Sequence, residues 1–293
     1  MSRTKTDLPS RILGSRTVSA IGLGGMPMSI EGRPDEARSI ATIHAALDAG
    51  VTLIDTADAY HLFGDEVGHN ESLIARALDS YEGDTADVVV ATKGGHLRPG
   101  DGSWTVNGHA DHLISAAEAS RNRLGVESIG LYQFHRPDPS VPYRESIGAI
   151  KHLLDEGVIE QAGISNADPD QIHEANEILG GRLAAVQNQF SPAFRSSMRE
   201  LELCAELGIA FLPWSPLGGI GKAGGLGSAY SAFQEVADAH GVSPQQVCLA
   251  WELALAPVVI PIPGASRPES IQDSARAAEL RLTEDEVARL SAS

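Results

Sequence analysis

Short apolar, β-branched runs alternate with longer amphipathic stretches along the whole chain. A short continuous apolar run bounded by turn residues is typical of a buried parallel strand, and apolar residues spaced three or four apart indicate a helix. The runs predict eight strands, at Val18–Leu23, Thr52–Asp55, Asp87–Thr92, Ile129–Phe134, Ile159–Ile164, Ala184–Asn188, Ile209–Pro213 and Val258–Ile262. The amphipathic stretches predict helices near 35–49, 70–81, 109–124, 143–156, 168–179, 196–207 and 243–255.

Strict alternation of this kind predicts parallel strands joined by crossover helices. Eight units favour a closed (β/α)8 TIM barrel over a doubly wound open sheet, with residues 1–293 forming a single domain. A hairpin at Arg11–Ser19 is expected to cover the barrel floor, and an extra C-terminal helix, Thr283–Leu290, to pack outside the barrel. Ser243 before Pro244 and a capping box that starts at Thr283 mark two helix starts.

Composition narrows the functional classes. The 293 residues are 42% hydrophobic and 21% charged, which suits a substantial core, and 22 Lys+Arg against 39 Asp+Glu give a net charge of −17. Such an acidic chain is a poor partner for nucleic acid or an anionic membrane. The N-terminus lacks a signal-like apolar stretch, and the most apolar segment, from Leu253, is short and broken by prolines, so a cytoplasmic protein is expected. Cys204 and Cys248 offer neither metal-ligand spacing nor a disulfide framework.

Four reactive side chains lie at or just beyond the ends of predicted strands: Asp55, Tyr60, Lys93 and His135. The carboxyl ends of barrel strands meet at one mouth. A tyrosine in water has a pKa of about 10, which a nearby ammonium lowers, and a carboxylate can hold that ammonium charged. An imidazole could position a carbonyl oxygen. Each residue alone has an ordinary structural explanation as a cap, solvated charge or core residue, but together they predict a proton-transfer site.

Nine segments then resemble the aldo-keto reductase family in order and spacing. They are GLGGMPM, the D-x4-Y of LIDTADAY, HNESLIARAL, VVVATKGG, RLGVESIGLYQFHRPDP, GVIEQAGISN, VQNQFSP, PWSPLGG and PIPGASRPES. The resemblance implies a (β/α)8 barrel that reduces aldehydes or ketones with a nicotinamide cofactor and no metal. It also implies that Tyr60 is the general acid, that Lys93 and Asp55 tune it, and that His135 orients the carbonyl.

The resemblance extends to the cofactor. It implies that Ser165, Asn166 and Gln187 hydrogen-bond the nicotinamide carboxamide and that Trp214 stacks on the ring, where many members have tyrosine. Gly219–Gly224 formally matches G-x-G-x-x-G but does not open a helix of a Rossmann unit, so we interpret it as a flexible cover over the cofactor. The remaining predicted contacts on the nicotinamide and pyrophosphate side are Gly25, Met26, Asp55, Ser215, Leu217 and Gly219.

The adenosine end departs from the family pattern. Ser270 stands where an arginine is customary and Ser274 where an asparagine is customary, which removes two contacts. Ser266 and Arg267 could still grip a 2′-phosphate, with Gly264 beside them and the following helix N-terminus in support. NADPH is therefore favoured, with NADH as the alternative.

The substrate and the competing functions remain open. Met28, Phe63 and Trp104 are predicted pocket walls, with Met26, His61 and Phe194 as further candidates, which suggests small to medium aldehydes. A metal-dependent hydrolase would show an H-x-H after its first strand, and the chain's histidines lack paired spacing. A Schiff-base aldolase could use Lys93 but leaves the D-x4-Y motif unexplained. A cofactor-binding redox sensor is the non-enzyme alternative; no obligate protein partner is indicated.

Overall fold

A curled parallel sheet, described here from a computed structural model of residues 8–293, forms the centre of the molecule. Its strands lie in the order β3-β4-β5-β8-β9-β10-β11, and every pair within it is parallel. The strands are β1 (Ser10–Leu13), β2 (Arg16–Ser19), β3 (Leu23–Gly24), β4 (Leu53–Asp55), β5 (Val89–Gly94), β6 (His96–Leu97), β7 (Thr105–Val106), β8 (Leu131–Phe134), β9 (Ala162–Ser165), β10 (Leu183–Gln187) and β11 (Ala210–Phe211).

An eighth segment, residues 258–264, closes the sheet into a barrel. On one side the Ile260 amide donates to the Phe211 carbonyl, over 2.9 Å. On the other side Gly22 and Gly24 donate to the carbonyls of Pro261 and Pro263, each over 2.9 Å. Proline has no amide hydrogen, so these two residues accept hydrogen bonds without completing a regular ladder. The predicted (β/α)8 barrel is confirmed, but its eighth member is an irregular segment and the predicted strand Val258–Ile262 is wrong in that respect.

The helices surround the sheet and follow the predicted alternation. Ser243 caps its helix by accepting from the Gln246 amide, and Thr283 and Glu286 form the predicted capping box. The helices are α1 (Glu36–Asp48), α2 (His69–Asp79), α3 (Ala110–Leu124), α4 (Tyr143–Asp155), α5 (Pro169–Ile178), α6 (Met198–Leu207), α7 (Leu226–Ala229), α8 (Ser231–His240), α9 (Pro244–Leu255), α10 (Pro268–Arg276) and α11 (Glu284–Ala292). The sequence predicts a helix after Arg267 without giving its bounds, and this is α10, whereas α7 and α8 are not among the predicted ranges, although α8 buries Ala232, Phe233, Val236 and Ala237 at helical spacing.

The N-terminal hairpin β1–β2 plugs the barrel from below. Leu13 and Val18 are buried in the same cluster as the barrel-interior residues Leu53, Leu131 and Leu212. The predicted hairpin is confirmed. Its second strand, β2, includes Val18 and Ser19, the first two residues of the predicted strand Val18–Leu23. The chain bends at Ala20 and Ile21, between the end of β2 at Ser19 and the start of β3 at Leu23, so the predicted strand is two separate pieces.

The last helix packs on the outside of the barrel, as predicted. Leu290 is fully buried in the large cluster between sheet and helices, and the Trp251 indole donates to the Ser291 hydroxyl over 2.9 Å. Cys204 and Cys248 are both buried and unbridged. None of the helices in residues 8–293 combines the length and apolar character needed to span a bilayer.

Candidate active site

The barrel topology brings the predicted strand-end residues to one mouth. Asp55 ends β4, Lys93 lies in β5, and His135 directly follows β8. Tyr60 lies in the loop after β4, whose path is fixed because Thr56 donates to the Ala91 carbonyl over 2.8 Å. Adjacent parallel strands therefore place an acid, an ammonium, a phenol and an imidazole within a few ångströms of one another.

Lys93 is the centre of the site. Its ammonium donates to Asp55 Oδ1 over 2.6 Å, to the Thr56 carbonyl over 2.8 Å and to the Tyr60 hydroxyl over 3.3 Å. The Lys93 side chain is fully buried and that of Asp55 is 4% exposed. Three acceptors thus use the three ammonium protons, which fixes the direction in which Lys93 faces Tyr60.

Asp55 is held from its other side by two amides. Gln187 Nε2 donates to Asp55 Oδ2 over 2.8 Å, and Gln133 Nε2 lies 3.4 Å from the same oxygen. Gln187 had been predicted only as a cofactor contact. Its position also makes it a support for the carboxylate that orients Lys93.

Burial and charge set the proton state of the pair. Burial alone lowers the pKa of Lys93, but Asp55 and Tyr60 together raise the pKa above its ordinary value. Burial raises the pKa of Tyr60 above its ordinary value, and the Lys93 charge opposes that rise. The sequence predicts a lowered tyrosine pKa, and this is wrong because burial outweighs the ammonium. Both groups carry their protons at neutral pH.

His135 is a neutral imidazole in this environment. Burial, followed by the charge of Lys93, lowers the pKa of His135 well below its ordinary value. Its ring meets the Tyr60 ring edge-on at a centroid distance of 5.9 Å, and Asn166 Nδ2 holds the His135 carbonyl over 3.0 Å. A neutral imidazole beside the phenol can donate one hydrogen bond without adding charge.

A cavity of about 510 Å³ opens beside these residues. It extends from Tyr60 and His135 to the start of α10. Most of the predicted site residues line it, namely Met26, Asp55, Tyr60, Trp104, His135, Ser165, Asn166, Gln187, Trp214, Ser215, Leu217, Gly219, Gly264, Ser266, Arg267 and Ser270.

Five predicted site residues do not line the cavity, and one of them is Lys93, which is fully buried and contacts the lining residues Asp55 and Tyr60. Met28 is 1% exposed and packs in the core between α1 and the sheet, whereas Phe63 is 58% exposed outside the cavity. Gly25 donates its amide to the Asp55 carbonyl, so it supports the site from behind. Ser274 is buried on α10. These residues therefore lie outside the cavity lining, as do the wider candidates His61 and Phe194.

The substrate-side wall contains two residues that sequence reasoning missed. His96 and Arg136 line the cavity, and the His96 ring lies 4.8 Å from that of His135 and 4.7 Å from that of Trp104. Burial, followed by the charge of Arg136, lowers the pKa of His96 to about 4, so its imidazole is neutral near pH 7. Arg98 covers the Trp104 ring at 5.0 Å. Trp104 is thus both a cavity wall and a packing anchor of the β6–β7 hairpin.

Two residues that line the cavity have an unusual backbone conformation. Asn166 and Ser215 both line it with φ near +57° and +54°, in the left-handed region that residues other than glycine seldom adopt. Such conformations persist where the surrounding structure enforces them, often at ligand sites. In residues 8–293 no group of three or more His, Cys, Asp or Glu side chains is arranged to hold a metal ion.

Sequence comparison decides the family. The profile of the Aldo/keto reductase family matches residues 20–293. The chain belongs to this family. An uncharacterized oxidoreductase of Schizosaccharomyces pombe is 34% identical over 282 residues, 95% of this chain and 87% of that protein. A 6-dehydroglucose reductase of Novosphingobium aromaticivorans is 34% identical over 278 residues, 90% of this chain and 88% of that protein.

Solved structures agree with this assignment. An aldo/keto reductase from Klebsiella pneumoniae, in complex with NADP and acetate, shares 26% identity and a TM-score of 0.80, covering 100% of this chain and 95% of that one. This aldo-keto reductase is accordingly an NAD(P)H-dependent oxidoreductase.

The cavity residues fit a dinucleotide of that kind. Arg267 is exposed, and in residues 8–293 no carboxylate pairs with it. It lies at the N-terminus of α10 beside Ser266, where amide groups and the helix dipole favour a phosphate. The Trp214 indole supplies an aromatic surface on the same cavity.

Proposed function

We propose that this enzyme reduces an aldehyde or ketone to the alcohol with NADPH, using Tyr60 as the general acid. One observation carries the proposal: Lys93 Nζ lies 2.6 Å from Asp55 Oδ1 and 3.3 Å from the Tyr60 hydroxyl, beside a cavity that Tyr60 lines. An ammonium so placed stabilises the phenolate that forms when Tyr60 gives up its proton.

Each residue of the site has a distinct role in the proposed reaction. The bound nicotinamide supplies a hydride for the carbonyl carbon. Tyr60 donates its proton to the carbonyl oxygen as negative charge develops there, and the neutral His135 donates a hydrogen bond to the same oxygen. Asp55, held by Gln187, keeps Lys93 directed at the Tyr60 hydroxyl.

The cofactor choice rests on the other end of the cavity. Arg267 supplies a guanidinium group with several donors and Ser266 supplies a hydroxyl, and both groups suit a 2′-phosphate. The Klebsiella relative was solved with NADP, which supports the same choice here. Ser270 lines the cavity but can add only a neutral contact, so the NADPH preference is expected to depend mainly on Arg267.

The test is Tyr60→Phe, which removes the proton and little else. We expect kcat for benzaldehyde reduction to fall roughly 10²–10⁴-fold, the range for a lost general acid, while NADPH binding changes less than about twofold. Stopped-flow absorbance and fluorescence titration measure the two quantities.

Tyr143→Phe is the matched control. Tyr143 lies in α4 outside the cavity, and its buried hydroxyl finds no hydrogen-bond partner in the described chain. This variant should keep wild-type turnover. Undiminished turnover in Tyr60→Phe would remove Tyr60 from the mechanism. Tight NADPH binding by the wild-type protein with no turnover on any carbonyl would instead favour a sensing role.

A further inference from the structure

The cavity carries more positive charge than the cofactor phosphate explains. Its charged lining residues are Asp55, Arg136 and Arg267, and Asp55 is neutralised by Lys93. No side-chain ion pair within residues 8–293 involves Arg136 or Arg267. Two unpaired cations on one cavity are notable in a chain with a net charge of −17.

The two arginines lie on opposite sides of the barrel. Arg136 follows β8, the fourth strand counted from β3, and Arg267 follows the eighth segment, residues 258–264. Half the barrel circumference separates them. A phosphate bound by Arg267 therefore does not neutralise Arg136, and the unpaired charge of Arg136 needs a separate explanation.

Arg136 stands on the substrate side of the cavity. It is adjacent to His135 in the chain, and its positive charge contributes to the lowered pKa of both His135 and His96. His96, His135 and Trp104 form one contiguous ring cluster. Arg136 is an exposed residue of the cavity lining. It lies beside His135, the imidazole that would donate a hydrogen bond to the carbonyl oxygen.

We propose that Arg136 binds an anionic group, a carboxylate or a phosphate ester, on the carbonyl substrate. The inference rests on the proposed carbonyl reduction, because it assigns the reducible carbonyl to the Tyr60 and His135 end. The donors of a guanidinium group match the paired oxygens of a carboxylate or phosphate. The flat ring surfaces of His96 and Trp104 suit an aromatic or other planar segment of the substrate between its carbonyl and its anionic group.

The experiment compares three aldehydes of similar size: 4-carboxybenzaldehyde, 4-formylphenyl phosphate and the neutral 4-formylbenzamide. We expect the wild-type enzyme with NADPH to show a KM for at least one anion roughly tenfold or more below that of the amide, in line with a charge-assisted hydrogen bond. The ranking of the two anions distinguishes a carboxylate site from a phosphate site.

Two variants of Arg136 and one control locate the effect. Arg136→Gln should bring the KM of the preferred anion to that of the amide, so that the ratio of the two KM values approaches one, whereas Arg136→Lys should keep part of the preference. Arg38→Gln changes the net charge by the same amount at an exposed arginine of α1 outside the cavity, and it should behave as wild type.

Calorimetric binding of benzoate against benzamide to the NADP-loaded protein gives a readout independent of turnover. Preferential benzoate binding that Arg136→Gln abolishes supports the anion site. If no aldehyde of the panel is reduced but this binding is seen, the proposed carbonyl reduction is contradicted and the anion site is not. Equal use of anions and amide, or a preference that survives Arg136→Gln, would overturn the inference while leaving carbonyl reduction intact.

Discussion

Lys93 is the residue on which the account depends most. It is fully buried, and a buried ammonium is tolerated because Asp55 pairs with it at 2.6 Å and two further acceptors complete its hydrogen bonds. Such a pair adds little net stability compared with an apolar replacement, but removal of one member leaves the other charge uncompensated. The pair is thus better explained by what it does to Tyr60 than by what it does for folding.

Lys93→Met should therefore destabilise the protein by about 3–5 kcal/mol, because Asp55 would remain charged and buried with only amide partners. The double variant Lys93→Met with Asp55→Asn removes both charges and should recover most of that loss while turnover stays abolished. Urea unfolding followed by circular dichroism measures the stability of each. A single variant as stable as the wild type would contradict the buried-charge argument.

At the scale of elements, the sequence predicts the barrel well where a single signal dominates. Uninterrupted apolar runs such as VVVAT gave β5, and apolar spacing with caps gave α1, α5 and α9 within a few residues. The predictions failed where two signals competed. Val18–Leu23 reads as one apolar run although the chain bends at Ala20 and Ile21, and Val258–Ile262 has strand-like residues whose ladder Pro261 interrupts.

Helix α9 contains a buried acid that gives the fold a pH dependence. Glu252 is fully buried, and neither of its carboxyl oxygens has a hydrogen-bond partner in the described chain. Burial raises the pKa of Glu252 well above its ordinary value. The unfolded carboxyl ionises near pH ~4.3, so above that pH the folded state holds a proton that the unfolded state lacks, and stability falls as pH rises.

Glu252→Gln should remove that contribution. This group is expected to cost the wild type up to about 1.4 kcal/mol of unfolding free energy per pH unit once the pH passes the unfolded value of ~4.3, so the stability advantage of the variant should grow as the pH rises. Chemical unfolding at several pH values gives the comparison. Glu206→Gln, at an exposed position of α6, should run parallel to the wild type; a parallel curve for Glu252→Gln would contradict the assignment.

At the scale of the whole molecule, an acidic surface surrounds a cavity with cationic ends. The meeting of the four proposed catalytic side chains could be predicted from the sequence because the ends of β4, β5 and β8 converge in any barrel of this kind. His96 could not, since its place depends on how the β6–β7 hairpin folds back beside His135. Arg136 directly follows His135 after β8, so the same convergence could have pointed to it. Met28 and Phe63 lie outside the cavity because a neighbouring position in sequence does not fix the direction of a side chain.

Cofactor discrimination is a property of this charge distribution. Arg267→Ala should raise the KM for NADPH about tenfold and leave the KM for NADH nearly unchanged, because only NADPH carries the 2′-phosphate. Arg276→Ala, at the other end of α10 and paired with Asp273, is the matched control and should leave both KM values at wild type. An equal change for both cofactors after Arg267→Ala would show that Arg267 does not read the 2′-phosphate.

The most direct test of the central claim follows the transferred hydrogen itself. Wild-type enzyme is supplied with benzaldehyde and NADPH deuterated at C4 of the nicotinamide, and the alcohol is analysed by mass spectrometry. We predict benzyl alcohol with one deuterium on its benzylic carbon from the wild type and only a trace of product from Tyr60→Phe. Unlabelled alcohol, or equal yields of labelled alcohol from both proteins, would contradict carbonyl reduction by this Tyr60, Lys93 and Asp55 site.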